Sequence, residues 1–286
     1  MASMNRLGTL PYRRRTAGFA LAAILALFAS ACTDERTPQQ PTDPNAVATG
    51  VADTLPGKAP APAQRCGKSP QITPVKVVLT TPDGVHLAGA RFGTGARGVL
   101  LLPQRDTDFC PWWDFATQLG LAGFQVLAID QRNSGQSEDA EKADYTADAA
   151  AGIAELKRAG AARVVLVGAS QGGAVALVTA GRTPNDVAGV VALSYPDDGL
   201  DVTGGTGDAP RTPAEAAPKI NMPLMLCFTK GDQFAVKAKP QQLAAKSPST
   251  AKELVGRSGV SHGWDMLRVG PDDVRTDVLR FLQSYA

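Results

Sequence analysis

Histidine is nearly missing from this chain: there are 2 in 286 residues, beside 4 cysteines. So few imidazoles and thiols leave no ligand set for a zinc site, and no cofactor is expected. Charge of one sign is also lacking. Beyond residue 31 the chain carries 25 basic and 27 acidic side chains, because Arg6, Arg13, Arg14 and Arg15 lie ahead of every acid. No basic stripe survives in the remainder, which excludes nucleic acid as a partner. Long apolar runs are absent too. The longest, Thr16 to Ala31, has sixteen residues, short of the ~18–20 that a membrane-spanning helix needs. What remains, 44% hydrophobic and 20% charged, is the balance of a packed globular chain rather than a disordered or fibrous one.

Three arginines followed by that short apolar segment have the form of a secretory signal, read here as residues 1–31. Phe28-Ala29-Ser30-Ala31-Cys32 then supports two readings that cut the same bond. It resembles a bacterial lipobox, in which Cys32 is acylated and anchors the mature chain to a membrane. Ala29-Ser30-Ala31 is equally an A-x-A site for ordinary signal peptidase, which makes the protein secreted and soluble. A retained signal-anchor is a third option. Residues 32–69 hold Pro38, Pro41, Pro44, Pro56, Pro60 and Pro62 among Thr, Ala, Gln and Asp. This composition cannot bury enough apolar surface to offset the entropy of ordering, so it reads as a flexible tether. Export to the cell envelope also gives the cysteines a use. Cys32 takes lipid, Cys227 lies in the apolar run 224–228 as a core residue, and Cys66 and Cys110 are left to pair.

Residues 70–286 read as one α/β domain. Apolar runs predict strands at 75–80, 85–92, 98–102, 124–129, 163–168, 187–193, 222–229 and 251–256, and helical periods at 112–121, 146–159, 171–181, 239–247 and 272–284. Runs such as Val164-Val165-Leu166-Val167 are apolar on both faces, as in parallel strands covered by helices on each side. The Asp83-Gly84 turn adds an antiparallel hairpin at the start.

The chemistry falls at strand ends. Gly168-Ala169-Ser170-Gln171-Gly172 is a G-x-S-x-G turn between the fifth strand and a helix, which puts a hydroxyl at the tip of a tight elbow. The glycines do not fall as G-x-G-x-x-G, and no lysine follows as in a phosphate loop. A serine needs a base. His86 lies within an early strand, whereas His262 lies in a loop of small residues before the last helix, so His262 is the candidate. A carboxylate must orient that imidazole. Asp232, directly after the seventh strand, is the first choice, with Asp197 and Asp198 as runners-up and Asp130 as a structural residue.

Ser170, Asp232 and His262 in that chain order, after the fifth, seventh and eighth strands, resemble the α/β-hydrolase superfamily from about residue 70 to the end. The stretch from Asp130 to Ser137 is similar to the D-x-R-G-x-G-x-S loop of that superfamily, with Asn133 in place of a glycine. Pro103-Gln104 stands where many members have His-Gly. The resemblance implies an eight-stranded, mostly parallel sheet with helices on both faces and a short lid between residues 195 and 219. It further implies an oxyanion hole built from the backbone N–H of Gln171 and of Arg105, or of Gln104 if the loop is shifted by one.

The implied activity is that of a serine hydrolase (carboxylesterase-like) cleaving small or medium acyl esters through an acyl-enzyme. Peptidase, thioesterase or acyltransferase chemistry uses the same residues, and a surface lipoprotein could keep the fold only for binding. A small-molecule ester is the expected partner, with membrane contact through Cys32; oligomeric state is not legible.

Overall fold

The computed structural model describes residues 65–66, 71–205 and 209–286. The signal, Cys32 and nearly all of the tether lie outside these residues.

Eight strands form one sheet in the order β1-β2-β4-β3-β5-β6-β7-β8. They are β1 (Val75–Thr80), β2 (His86–Phe92), β3 (Arg97–Leu102), β4 (Gln125–Ile129), β5 (Arg163–Ala169), β6 (Gly189–Leu193), β7 (Leu224–Thr229) and β8 (Lys252–Arg257). β2 runs antiparallel to both β1 and β4, and every other pairing is parallel. The hairpin is closed at Gly84, whose φ of 88° is a conformation that favours glycine. Each expected strand is present within two residues of its expected ends.

The helices are α1 (Trp113–Leu121), α2 (Tyr145–Arg158), α3 (Gln171–Arg182), α4 (Pro213–Ala216), α5 (Pro240–Lys246) and α6 (Arg275–Tyr285). The apolar residues of each central strand divide between two cores. Leu100, Leu166, Val190 and Leu226 pack with α2, α3 and α5 on one face. Val99, Val165, Val191 and Met225 pack with α1 and α6 on the other. Strands sandwiched in this way must be apolar on both sides, and that is the pattern the sequence displays.

α4 was not expected. Thr212 caps it by accepting from Glu215 N–H, and Glu215 reaches back to Arg211 N–H at 2.8 Å. This Thr-x-x-Glu spacing is a helix-start signal that a weak apolar period concealed. The described residues of the expected lid, 195–205 and 209–219, bury Tyr195, Val202, Ala216 and Ala217, so they are packed onto the body of the domain rather than arched over it.

Arg65 and Cys66, within the stretch read as tether, are fastened to the domain. Cys66 is bonded to Cys110 with Cα atoms 5.1 Å apart, and Cys227 is buried and unpaired, as expected. The Arg65 guanidinium donates to Asp130 at 2.7 Å and lies 4.1 Å over the Phe109 ring.

Candidate active site

Ser170 sits between β5 and α3 with φ 51° and ψ −119°. A non-glycine residue in this region is strained, and the surroundings hold it there. Its N–H donates to Leu193 O at 2.8 Å, which ties the elbow to the end of β6. A Cβ on Gly168 would stand 2.0 Å from Gly172 O, and one on Gly172 would stand 2.3 Å from Leu102 O. The two glycines of the motif are therefore required by close backbone approach, the second because α3 begins against the end of β3. Gln171 N–H, in the first turn of α3, has no acceptor among the described residues, as helix-start N–H groups commonly do not.

Asp232 and His262 are joined. His262 Nδ1 and Asp232 Oδ2 are 2.7 Å apart, with side chains 13% and 2% exposed. The other carboxylate oxygen accepts from Phe234 N–H at 2.9 Å, and the Phe234 ring lies 5.1 Å from the imidazole. With Nδ1 engaged, Nε2 is the nitrogen left to face a reactant. Ser170 Oγ makes no hydrogen bond to the imidazole in this structure. The runners-up are committed elsewhere: Asp198 accepts from Tyr195 OH and Lys239 N–H, and Asp197 pairs with Lys237. His86 bonds Glu138 at 3.0 Å at the other end of the sheet order.

The loop carrying His262 is cradled by Asp272, which sequence reasoning missed. Its carboxylate accepts from Gly259, Val260 and Ser261 N–H at 3.0, 3.1 and 3.1 Å. These bonds hold the Asp272 carboxyl below the usual range, the one from Ser261 most strongly. A Cβ on Gly259 would fall 2.0 Å from that carboxylate, so the glycine lets the chain wrap it. The only trace of this cradle in the sequence is Gly259, the glycine the wrap requires; nothing local marks a carboxylate 13 residues further on.

The loop after β3 lies between serine and histidine. Gln104 Oε1 accepts from Trp264 N–H at 3.0 Å, two residues past the imidazole. Arg105 Nε donates to Gln171 Oε1 at 2.7 Å, one residue past the serine. Gly263 has φ 56°, and a Cβ there would meet the Gln104 carboxamide at 2.0 Å. Gln104, the second residue in the place of His-Gly, and Arg105, the residue that follows it, thus bridge both halves of the site.

Behind this loop, Asp130 is fully buried and accepts from Arg65, from Phe109 N–H at 2.8 Å and from Gln136 N–H at 2.9 Å. Burial pushes its carboxyl up, against the pull of Arg65. Asn133 has φ 61°, so the residue in the glycine's place adopts the glycine's conformation, which Asn tolerates better than most.

A cavity of about 370 Å³ adjoins the site, with Ser194, Thr229, Asp232, Val236 and Pro240 in its walls. Val236, in the cavity wall, and Phe234, beside the imidazole, are 76% and 73% exposed and apolar. No group of three or more His, Cys, Asp or Glu suited to a metal occurs among the described residues.

A family profile described as alpha/beta hydrolase fold matches residues 99–219. An esterase of Pyrococcus furiosus superposes with a TM-score of 0.63 at 19% identity, over 80% of this chain and 97% of its own. The fold is the α/β-hydrolase fold. An esterase from Exiguobacterium antarcticum is similar with a TM-score of 0.58 at 14% identity, over 72% and 99% of the two chains. A monoacylglycerol lipase from Paleococcus ferrophilus gives 0.58 at 19% identity, over 69% and 98%. No curated protein sequence matches the chain. At these identities the likeness is one of fold. In α/β-hydrolase terms, Ser170, Asp232 and His262 all follow the carboxyl ends of parallel strands, at the edge where such sheets place their ligands.

Proposed function

We propose that the protein is a serine hydrolase of carboxylic esters, with Ser170 as nucleophile, His262 as general base and Asp232 as the carboxylate that orients the imidazole. The observation that carries this reading is the buried 2.7 Å bond between His262 and Asp232, on the same sheet edge as a serine in strained backbone geometry. Asp232 fixes the tautomer with the proton on Nδ1, so Nε2 is free to take the Ser170 proton. The alkoxide attacks the ester carbonyl, the alcohol leaves with that proton, and water hydrolyses the acyl-enzyme with His262 again as base. The oxyanion is received by Gln171 N–H and by Arg105 or Gln104 N–H. Serine–histidine bonds are commonly long in free enzymes and tighten around substrate, which accommodates the open Ser170 Oγ.

The exposed apolar Phe234 beside the imidazole and the moderate cavity at Asp232, with Val236 in its wall, favour small or medium acyl esters over peptides. A set of nitrophenyl esters of increasing acyl length, with wild type and Ser170→Ala, tests the reading. Turnover lost in Ser170→Ala, together with phosphonate labelling of Ser170 in wild type, is expected. Full activity in Ser170→Ala, or a phosphonate bound elsewhere, refutes it.

We also propose export to the cell envelope with a lipid anchor on Cys32. The Cys66–Cys110 bridge supports it, because such bonds persist in oxidising compartments. Mass spectrometry of the mature amino terminus decides between a diacylated Cys32 and plain secretion.

A further inference from the structure

Arg105 is held by a neutral partner one residue past Ser170. Its Nε donates to Gln171 Oε1 at 2.7 Å, and Gln171 is 4% exposed. A buried carboxamide oxygen beside the nucleophile thus aims an exposed guanidinium. Its terminal N–H groups remain, and no carboxylate of the described residues pairs with them. Arg97, Arg182 and Arg275 are likewise held by neutral groups, but only Arg105 is anchored on the residue that follows Ser170. Asp106, next in the chain, forms no ion pair with Arg105, and Asp108 is taken by Arg65. A neutral partner leaves the Arg105 charge uncompensated beside Gln171, the residue that follows Ser170. Gln171 supplies both the anchor for that charge and the backbone N–H assigned to the oxyanion, so a group bound by the guanidinium lies about one side chain from the reacting carbonyl. On the histidine side, the exposed Phe234 ring lies 5.1 Å from the imidazole.

We propose that the protein is selective for esters bearing a carboxylate on the acyl side, the monoesters of short dicarboxylic acids, and that Arg105 is the residue that selects them. The inference rests on Ser170 being the nucleophile. A guanidinium presents parallel N–H donors that match both oxygens of a carboxylate, and held by Nε it loses little freedom on binding. The acyl carboxylate docks on Arg105, the carbonyl points its oxygen at Gln171 N–H, and the leaving alcohol lies toward Phe234.

The test compares nitrophenyl monoesters of glutaric and adipic acid with the nitrophenyl esters of pentanoic and hexanoic acid, with enzyme-free hydrolysis subtracted. The readout is the ratio of kcat/KM for the anionic to the neutral ester of equal length, in wild type, Arg105→Gln and Arg105→Lys. The ratio is insensitive to any general loss caused by disturbing the loop. Wild type is expected to favour the anionic ester, and Arg105→Gln to lower the ratio by ~10- to 100-fold. Arg105→Lys restores part of it, and raising the salt lowers the wild-type ratio through screening. Equal ratios in wild type and Arg105→Gln, with Ser170 still labelled by a phosphonate, overturn this inference and leave the hydrolase reading standing. No turnover and no labelling of Ser170 overturn both.

Discussion

Replacing both Cys66 and Cys110 by serine removes a bond whose effect can be worked out from its place in the chain. The bridge spans 44 residues, and that segment contains β1, β2 and β3, three of the eight strands. Releasing such a loop in the unfolded chain is worth ~4 kcal/mol on a chain-entropy treatment. For a domain of this size that corresponds to a fall in Tm of ~8–16 °C. The bond also keeps Arg65 beside the buried Asp130 carboxylate, which in turn holds Phe109 in the loop that follows β3. If Arg65 stays docked without the bridge, the loss is the entropic one alone. If it leaves, Asp130 keeps only two backbone donors, and the destabilisation grows by a few kcal/mol. Adding Arg65→Met to the double variant separates these cases, since it costs nothing further once Arg65 has already left. Thermal melts of the three proteins give the stabilities, and ester kcat/KM at 25 °C reports on the loop. A double variant melting within 2 °C of wild type, with unaltered turnover, refutes the reasoning.

Three further perturbations probe the site and its frame. Gly172→Ala forces a methyl group against Leu102 O; overpacking of this kind costs ~1–3 kcal/mol, and by separating β3 from α3 it should lower kcat at least tenfold, which stopped-flow turnover measures. Asp272→Asn leaves three backbone N–H groups of the His262 loop sharing one carbonyl oxygen; kcat/KM should fall several-fold while the circular-dichroism melt of the whole domain hardly moves. The buried Arg132 guanidinium, bonded to Asp83 at 2.8 and 2.9 Å, holds the Asp83 carboxyl well below its ordinary value. A lowered folded-state pKa gives stability that is present above the unfolded value, ~4, and is lost as pH falls below it. The Tm gap between wild type and Asp83→Asn should therefore be widest near neutrality and narrow in acid, and a gap independent of pH refutes the assignment.

The strands were legible because burial on two faces leaves no room for polar residues, so runs like Val164 to Val167 carry both their type and their place in the sheet. Ser170 was legible for a related reason: a strand turning at once into a helix needs glycines where Leu102 O and Gly172 O approach. The pairing of Cys66 with Cys110 followed from the exclusion of the other two thiols. What could not be read were contacts made by side chains on backbone far away in sequence. Asp272 serves residues more than ten positions earlier, and Gln104 meets Trp264 across 160 residues. No local pattern marks such bonds. α4 escaped for a different reason: its capping signal is sound, but the helix is too short for a period to show.

The departure from His-Gly after β3 gains a meaning from these long-range bonds. An oxyanion site needs two backbone donors held at a fixed separation, one on the nucleophile elbow and one on a loop from another strand, and a loop is free to drift unless something fixes it. Here Gln104 fastens the loop to the histidine side through Trp264, and Arg105 fastens it to the serine side through Gln171. Asp130 holds its far end through Phe109, and the Cys66–Cys110 bridge closes beside it. Pro103 can donate nothing but fixes the direction in which the chain leaves the strand. The same loop therefore has little freedom on any side, and under the proposed serine-hydrolase reading the electrostatic part of the barrier lowering is built in before substrate arrives. The proposed selectivity draws on the same economy: the side chain that pins the loop to the elbow is also the one that leaves a cation beside Gln171.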